Sequence, residues 1–195
     1  MSEALRALEV ILTSFAVALV FNLVPLGAPP YVPVVILEVK YGGLGFWPPV
    51  IAASLGAAAA KLVMYYLGIG LKGVLRRNRN VRFLSRYANS SWAYLFAFLA
   101  AMVPVLPLDD FVYMVGGASG MRAKLMGLMA AAAKLIKTVM EVYILYVTIG
   151  FISSALRLSE FALIAAVSVA DVVTGLLVFA LDWEALARRL GLLRA

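Results

Sequence analysis

The chain alternates long apolar stretches with short polar breaks. Apolar residues dominate over 10–24, 31–39, 43–71, 92–121, 125–152 and 161–181. A helix needs about 20 apolar residues to cross a hydrocarbon layer of about 30 Å. The stretches 43–71, 125–152 and 161–181 reach that length, and 10–24 reaches it if residues 4–9 lie among head groups. The piece 31–39 is too short; it follows Pro25, Pro29 and Pro30 and contains Pro33. The 92–121 stretch is long but carries Pro104 and Pro107, then Asp109 and Asp110, then Gly116 and Gly117. Proline lacks the backbone donor and cannot continue a helix. Residues 92–121 are therefore expected to enter a membrane and turn back.

Composition supports lipid as the main solvent. Of 195 residues, 65% are hydrophobic and 14% charged, and the mean hydropathy is +1.00. A soluble domain carries about 45–50% apolar and about 25% charged residues, and a disordered chain needs low hydrophobicity with high charge. Both classes are excluded. The chain has no Cys and no His, which removes disulfides, thiolate and imidazole catalysis and the commonest metal ligands. No enzyme constellation, metal site or cofactor is expected. Residues 1–9 carry Glu3, Arg6 and Glu9, unlike the basic start of a cleavable signal peptide.

The net charge of +7 is unevenly placed. The segment 72–91 contains Lys72, Arg76, Arg77, Arg79, Arg82 and Arg86 and no acidic residue. The positive-inside rule puts it in the cytoplasm, with Arg122 and Lys124. Contact with anionic head groups explains these cations better than nucleic acid does. With a cytoplasmic N-terminus, 10–24 crosses outward, 25–45 dips in and returns, and 43–71 crosses inward. Then 92–121 turns back, 125–152 crosses outward, and 161–181 returns to Arg188, Arg189 and Arg194. The expectation is a multi-pass protein of the cell membrane with both termini cytoplasmic. A single kinked helix over 92–121 is the alternative, and it would put Arg122 and Lys124 outside.

The hexapeptide AAAAKL occurs at 57–62 and again at 130–135. A Val-Pro break precedes each copy (Val24-Pro25 and Val103-Pro104), and Gly68 and Gly150 close the two units. Each unit reads as a broken segment followed by a spanning helix with a lysine. The expected fold is an all-α integral membrane protein, an inverted repeat of re-entrant hairpin plus transmembrane helix with flanking N- and C-terminal helices. It forms one membrane domain, with repeat 1 over about 22–71, repeat 2 over about 92–152, and a last helix over 160–181. Inverted repeats whose broken helices meet near the midplane characterise transporters.

Ionisable groups within a membrane tend to be paired or to line a water-filled cavity. Those here are Glu38, Lys61, Asp109, Asp110, Lys134, Lys137, Glu141 and Asp171. Lys134, Thr138 and Glu141 stand at i, i+4 and i+7 and share one helix face. Lys61, Lys134 and Lys137 are the candidates for holding an anion; Asp109, Asp110, Glu38 and Glu141 are those for exchanging a proton. Two adjacent carboxylates in a poorly hydrated site do not both ionise cheaply. The plain alternative is mutual neutralisation, Lys134 or Lys137 with Glu141 and Lys61 with one Asp. Pro25, Pro104 and Pro107 mark the hairpin breaks.

Two motifs resemble the DedA/VTT superfamily of polytopic membrane proteins. One is Gly56, Ala57, Tyr65 and Gly68; the other is Pro104, Pro107, Asp109, Tyr113, Gly116 and Gly117. The resemblance implies two opposed re-entrant hairpins and movement of polyprenyl phosphate or phospholipid across the bilayer, with proton coupling in some members. Bacterial members usually carry two arginines where this chain has Ala101 and Pro107. The expected partners are membrane lipids, an anionic lipid phosphate and protons, in a monomer or homodimer. A small-solute or drug exporter and a non-transporting scaffold stay open as alternatives.

Overall fold

The computed structural model describes residues 2–24, 31–78, 81–82, 85–88, 90–102 and 108–157, and beyond these 159, 162–163, 165–166, 169–170 and 173. The described residues form helices and no strand. In chain order the helices are α1 (Glu3–Leu23), α2 (Val32–Tyr41), α3 (Trp47–Gly70), α4 (Lys72–Leu75), α5 (Ser91–Met102), α6 (Leu108–Ser119) and α7 (Ala123–Leu156). Helices α1, α3 and α7 are long and apolar enough to cross a membrane. The sequence expectations 43–71 and 125–152 correspond to α3 and α7. The expected breaks at Pro25, Pro104 and Pro107 lie outside the described residues, as do Asp171 and 174–195. The 92–121 stretch is nonetheless two helices, α5 and α6.

Local chemistry explains where the helices start. The Ser2 hydroxyl accepts the Leu5 N–H at 3.3 Å, satisfying one of the orphan donors of the first turn. Proline occupies the first turn of both α2 and α3, where its missing donor costs nothing.

Helix α3 is the axis of the bundle, packing on α1, α6 and α7. It comes closest to α1 at Gly56, where a Cβ would collide with the Phe15 backbone. It comes closest to α6 at Gly68 and Gly117, which abut the Met114 and Tyr65 backbones. The buried stripe Val10, Ser14, Ala18 and Asn22 of α1 has i+4 spacing, one face of a helix. Ala18 packs with Ala53 and Ala57 of α3.

These contacts fix the polarity of the elements. Phe15 and Leu19 meet Gly56, while Asn22 lies further along beside the side chains that meet Lys61. Helices α1 and α3 are therefore parallel. Helix α2 runs back, so that Gly42 at its end faces Val10 of α1. In the other half, the Arg122 N–H donates to the Tyr94 hydroxyl at 2.8 Å, which puts the start of α5 beside the turn between α6 and α7. Helix α6 runs parallel to α3, since Asp110 meets Lys61 and Met114 meets Gly68. Helix α7 returns antiparallel, and its Tyr143 ring meets Phe46 at 6.5 Å.

This polarity differs from the expected order of crossings. The sequence predicts residues 10–24 as a separate span with the N-terminus on the side of 72–91. The contacts instead place the start of α1 at the opposite end of α3 from that basic segment. The physical reason is that α2 doubles back along α1, so α1 and α2 together return to the end at which they began.

Candidate functional site

Charge is concentrated at the centre of the bundle, at the level of Lys61 in the middle of α3. Lys61 is 1% exposed, Lys134 2% and Asp109 3%, so nearly all their charge is out of water. An isolated ion so placed is strongly penalised, and buried charges survive only when paired and hydrogen-bonded. Pairing is what the side chains do. Lys134 of α7 forms an ion pair with Asp109, and Lys61 forms one with Asp110. The Lys61 ammonium also lies 3.6 Å from Asp109 Oδ2. That single oxygen therefore bridges the lysines of the two AAAAKL copies. The other oxygen, Oδ1, accepts the Asp110 N–H at 3.1 Å.

Both aspartates occupy the first turn of α6, where the helix dipole and free N–H groups favour negative charge. Helix α1 ends in the same layer. Near the end of α1, Asn22 accepts a hydrogen bond from Lys134 Nζ at 2.9 Å through Oδ1, while its amide donates to the Ala18 carbonyl at 2.8 Å. Lys61, Lys134, Asp109 and Asp110 sum to zero charge when all are ionised.

A second polar group continues from this centre along α7. Lys137 and Glu141 approach to 3.9 Å, one turn apart. Tyr31, which precedes α2, shares a 2.6 Å hydrogen bond with Thr138. In the other direction the site is covered by Tyr113, Met64, Tyr65 and Met126, which belong to one apolar cluster. The Tyr65 hydroxyl donates to the Met121 carbonyl at 2.5 Å and closes that side.

Of the residues singled out from sequence, Lys61, Lys134, Asp109 and Asp110 meet directly, and Lys137 and Glu141 pair beside them. Glu38 stands apart, near Gly42 and Val10 at the far end of α1 and α2. Asn22 and Tyr31 were not singled out. Their signal was present: each is a polar group flanking the Pro25–Pro30 cluster in an otherwise apolar run. No group of His, Cys, Asp and Glu suited to a metal ion occurs among the described residues. The site can hold an anion between two amines, or exchange a proton on a carboxylate. No family model, no curated protein and no solved structure matches this chain.

Proposed function

We propose that this protein is a membrane carrier for an anionic lipid phosphate, built from two opposed re-entrant hairpins around the central charge cluster. The hairpins are α1–α2 and α5–α6, entering from opposite faces, and α3 and α7 are the spanning helices that follow them. The observation that carries the proposal is Asp109 Oδ2 placed between Lys61 and Lys134. A carboxylate held between two amines occupies the position that a phosphate oxygen needs. Broken helices that present their ends to a midplane site are a transporter device. The motif likeness to the DedA/VTT superfamily points the same way.

The charges suggest the cycle. Protonation of Asp109 leaves Lys61 and Lys134 facing Asp110 alone, a net charge of +1. A singly charged phosphate restores neutrality. Proton and anion then enter together, and the loaded site moves without net charge through a medium that penalises ions. Both aspartates face lysines, which favours an anion over the cationic substrate of a drug exporter. On this reading the basic segment 72–91 is cytoplasmic and the N-terminus, at the opposite end of α3, is outside.

The test is translocation of polyprenyl phosphate and of phospholipid in proteoliposomes. Lys61→Ala and Lys134→Ala are expected to abolish it. The double substitution Asp109→Leu with Lys134→Met is charge-balanced, and exchanging a buried ion pair for apolar groups of similar volume is often neutral for stability. That variant is expected to fold and not to transport. Translocation unchanged in all three variants overturns the proposal.

A further inference from the structure

We propose that the polar face of α7 from Lys134 through Lys137 and Thr138 to Glu141 is the route by which water reaches the central site, and that it opens only on the face opposite the basic segment. The route deepens the carrier proposal and rests on it for the location of the transport site, but its geometry stands independently. Residues 134, 138 and 141 follow the i, i+4, i+7 register, so successive polar groups lie within about 5–6 Å of one another along one helix face. Side-chain exposure rises from 3% at Lys134 through 8% at Lys137 to 16% at Glu141, while Thr138, bonded to the Tyr31 hydroxyl, is fully buried. The opposite face of α7 carries Ile136, Met140, Tyr143 and Val147, all exposed, and suits lipid. The polar face is turned into the protein.

The direction of the route follows from the packing. Glu141 lies towards the end of the bundle where Lys40 sits 5.9 Å from the Tyr146 ring and Phe46 meets Tyr143. Towards the basic segment, Tyr113, Met64 and Met126 are 1%, 0% and 0% exposed, and the buried Tyr113 hydroxyl has no hydrogen-bond partner among the described residues to carry the polar chain further. The charged and titratable groups facing the route are Tyr31 before α2, Lys61 of α3, Asp109, Asp110 and Tyr113 of α6, and Lys134, Lys137 and Glu141 of α7 itself. Asn22 of α1 adds a neutral amide. Tyr31, hydrogen-bonded to Thr138 midway along, covers the route at that point, and Thr138 becomes accessible when that bond opens.

The absence of native cysteine makes the test direct. Single cysteines are introduced and treated, in sealed proteoliposomes of known orientation, with a membrane-impermeant thiol reagent added to one side at a time. Tyr41→Cys and Gly73→Cys, both at exposed positions, mark the two faces. Thr138→Cys and Glu141→Cys are expected to react only from the Tyr41 side, with Glu141→Cys at least about tenfold faster. Met64→Cys and Met126→Cys are expected to react from neither side. Reaction of both route positions from the Gly73 side, from both sides or from neither overturns the inference, and using both positions guards against one variant that fails to fold. Labelling needs no substrate. A protein that labels as expected but moves no lipid phosphate would overturn the carrier proposal and keep the route.

Discussion

Asp109 divides its carboxylate between two tasks: Oδ1 takes the next backbone N–H, and Oδ2 stands between two ammonium groups. Removing it leaves Lys61 with Asp110 but strands the Lys134 charge in an environment that cannot solvate it. Breaking a buried pair by deleting one partner costs about 3–5 kcal/mol, whereas replacing both partners by apolar groups is often neutral. Asp109→Leu alone is therefore expected to lower thermal stability in detergent sharply, and adding Lys134→Met to restore most of it. Equal losses in the single and double variants would show that Lys134 is not the main partner. At this scale the sequence was informative because charge in an apolar stretch must find a partner. The pairing of Lys61 with an Asp and of Lys137 with Glu141 follows from that rule. What the rule does not supply is the partner's identity across 112 residues, as between Asn22 and Lys134. Nor does it place Glu38, whose position at the far end of α2 depends on the chain doubling back.

At the scale of elements, closeness of helices depends on a few glycines. Gly117 faces the Tyr65 backbone, and α3 cannot retreat there without losing its contact with α6. Its neighbour Gly116 faces only the Met126 and Met121 side chains, which have rotamers to spare. Overpacking a rigid contact typically costs about 1–3 kcal/mol. Gly117→Ala is expected to destabilise by at least that amount and Gly116→Ala by clearly less, measured as melting midpoints of the purified protein. Equal effects would mean that α3 and α6 are not in backbone contact. The turn between α6 and α7 is held similarly from two sides, by the Tyr65 and Tyr94 hydroxyls. Tyr65→Phe is expected to cost about 0.5–1.5 kcal/mol, the net worth of one hydrogen bond, and to leave the Tyr65 ring packing intact. Glycines and tyrosines of both motifs were visible in sequence as recurring residues. Their reason, close backbone approach, appears only once helices far apart in the chain are laid together.

At the scale of the whole molecule, the direction of each helix decides which ends share a face. Helices α3 and α7 are legible from apolar length alone, because about 20 residues suffice to cross, and α1 reaches that length only with residues 3–9 added. Whether a helix counts as a crossing is not legible, because length does not reveal that the next helix runs back beside it. Helix α1 is 21 residues long, about 31 Å at 1.5 Å per residue, enough to be read as a span. Yet α2 returns from its end to Val10, so the pair begins and ends towards the same end of α3. If α3 spans the bilayer, residues on either side of it must lie in different compartments. Ser2→Cys and Gly73→Cys are accordingly expected to react with an impermeant thiol reagent from opposite faces of the membrane, and Arg157→Cys from the face that exposes Ser2→Cys. Helix α7 makes the last of these a stringent check. Its contact with Phe46 at Tyr143 leaves residues up to Leu156 beyond the start of α3, about 20 Å of helix at 1.5 Å per residue. Labelling of positions 2 and 73 from one face would require α1 to cross as an independent span, and the parallel packing of α1 on α3 through Gly56 would then have to be given up.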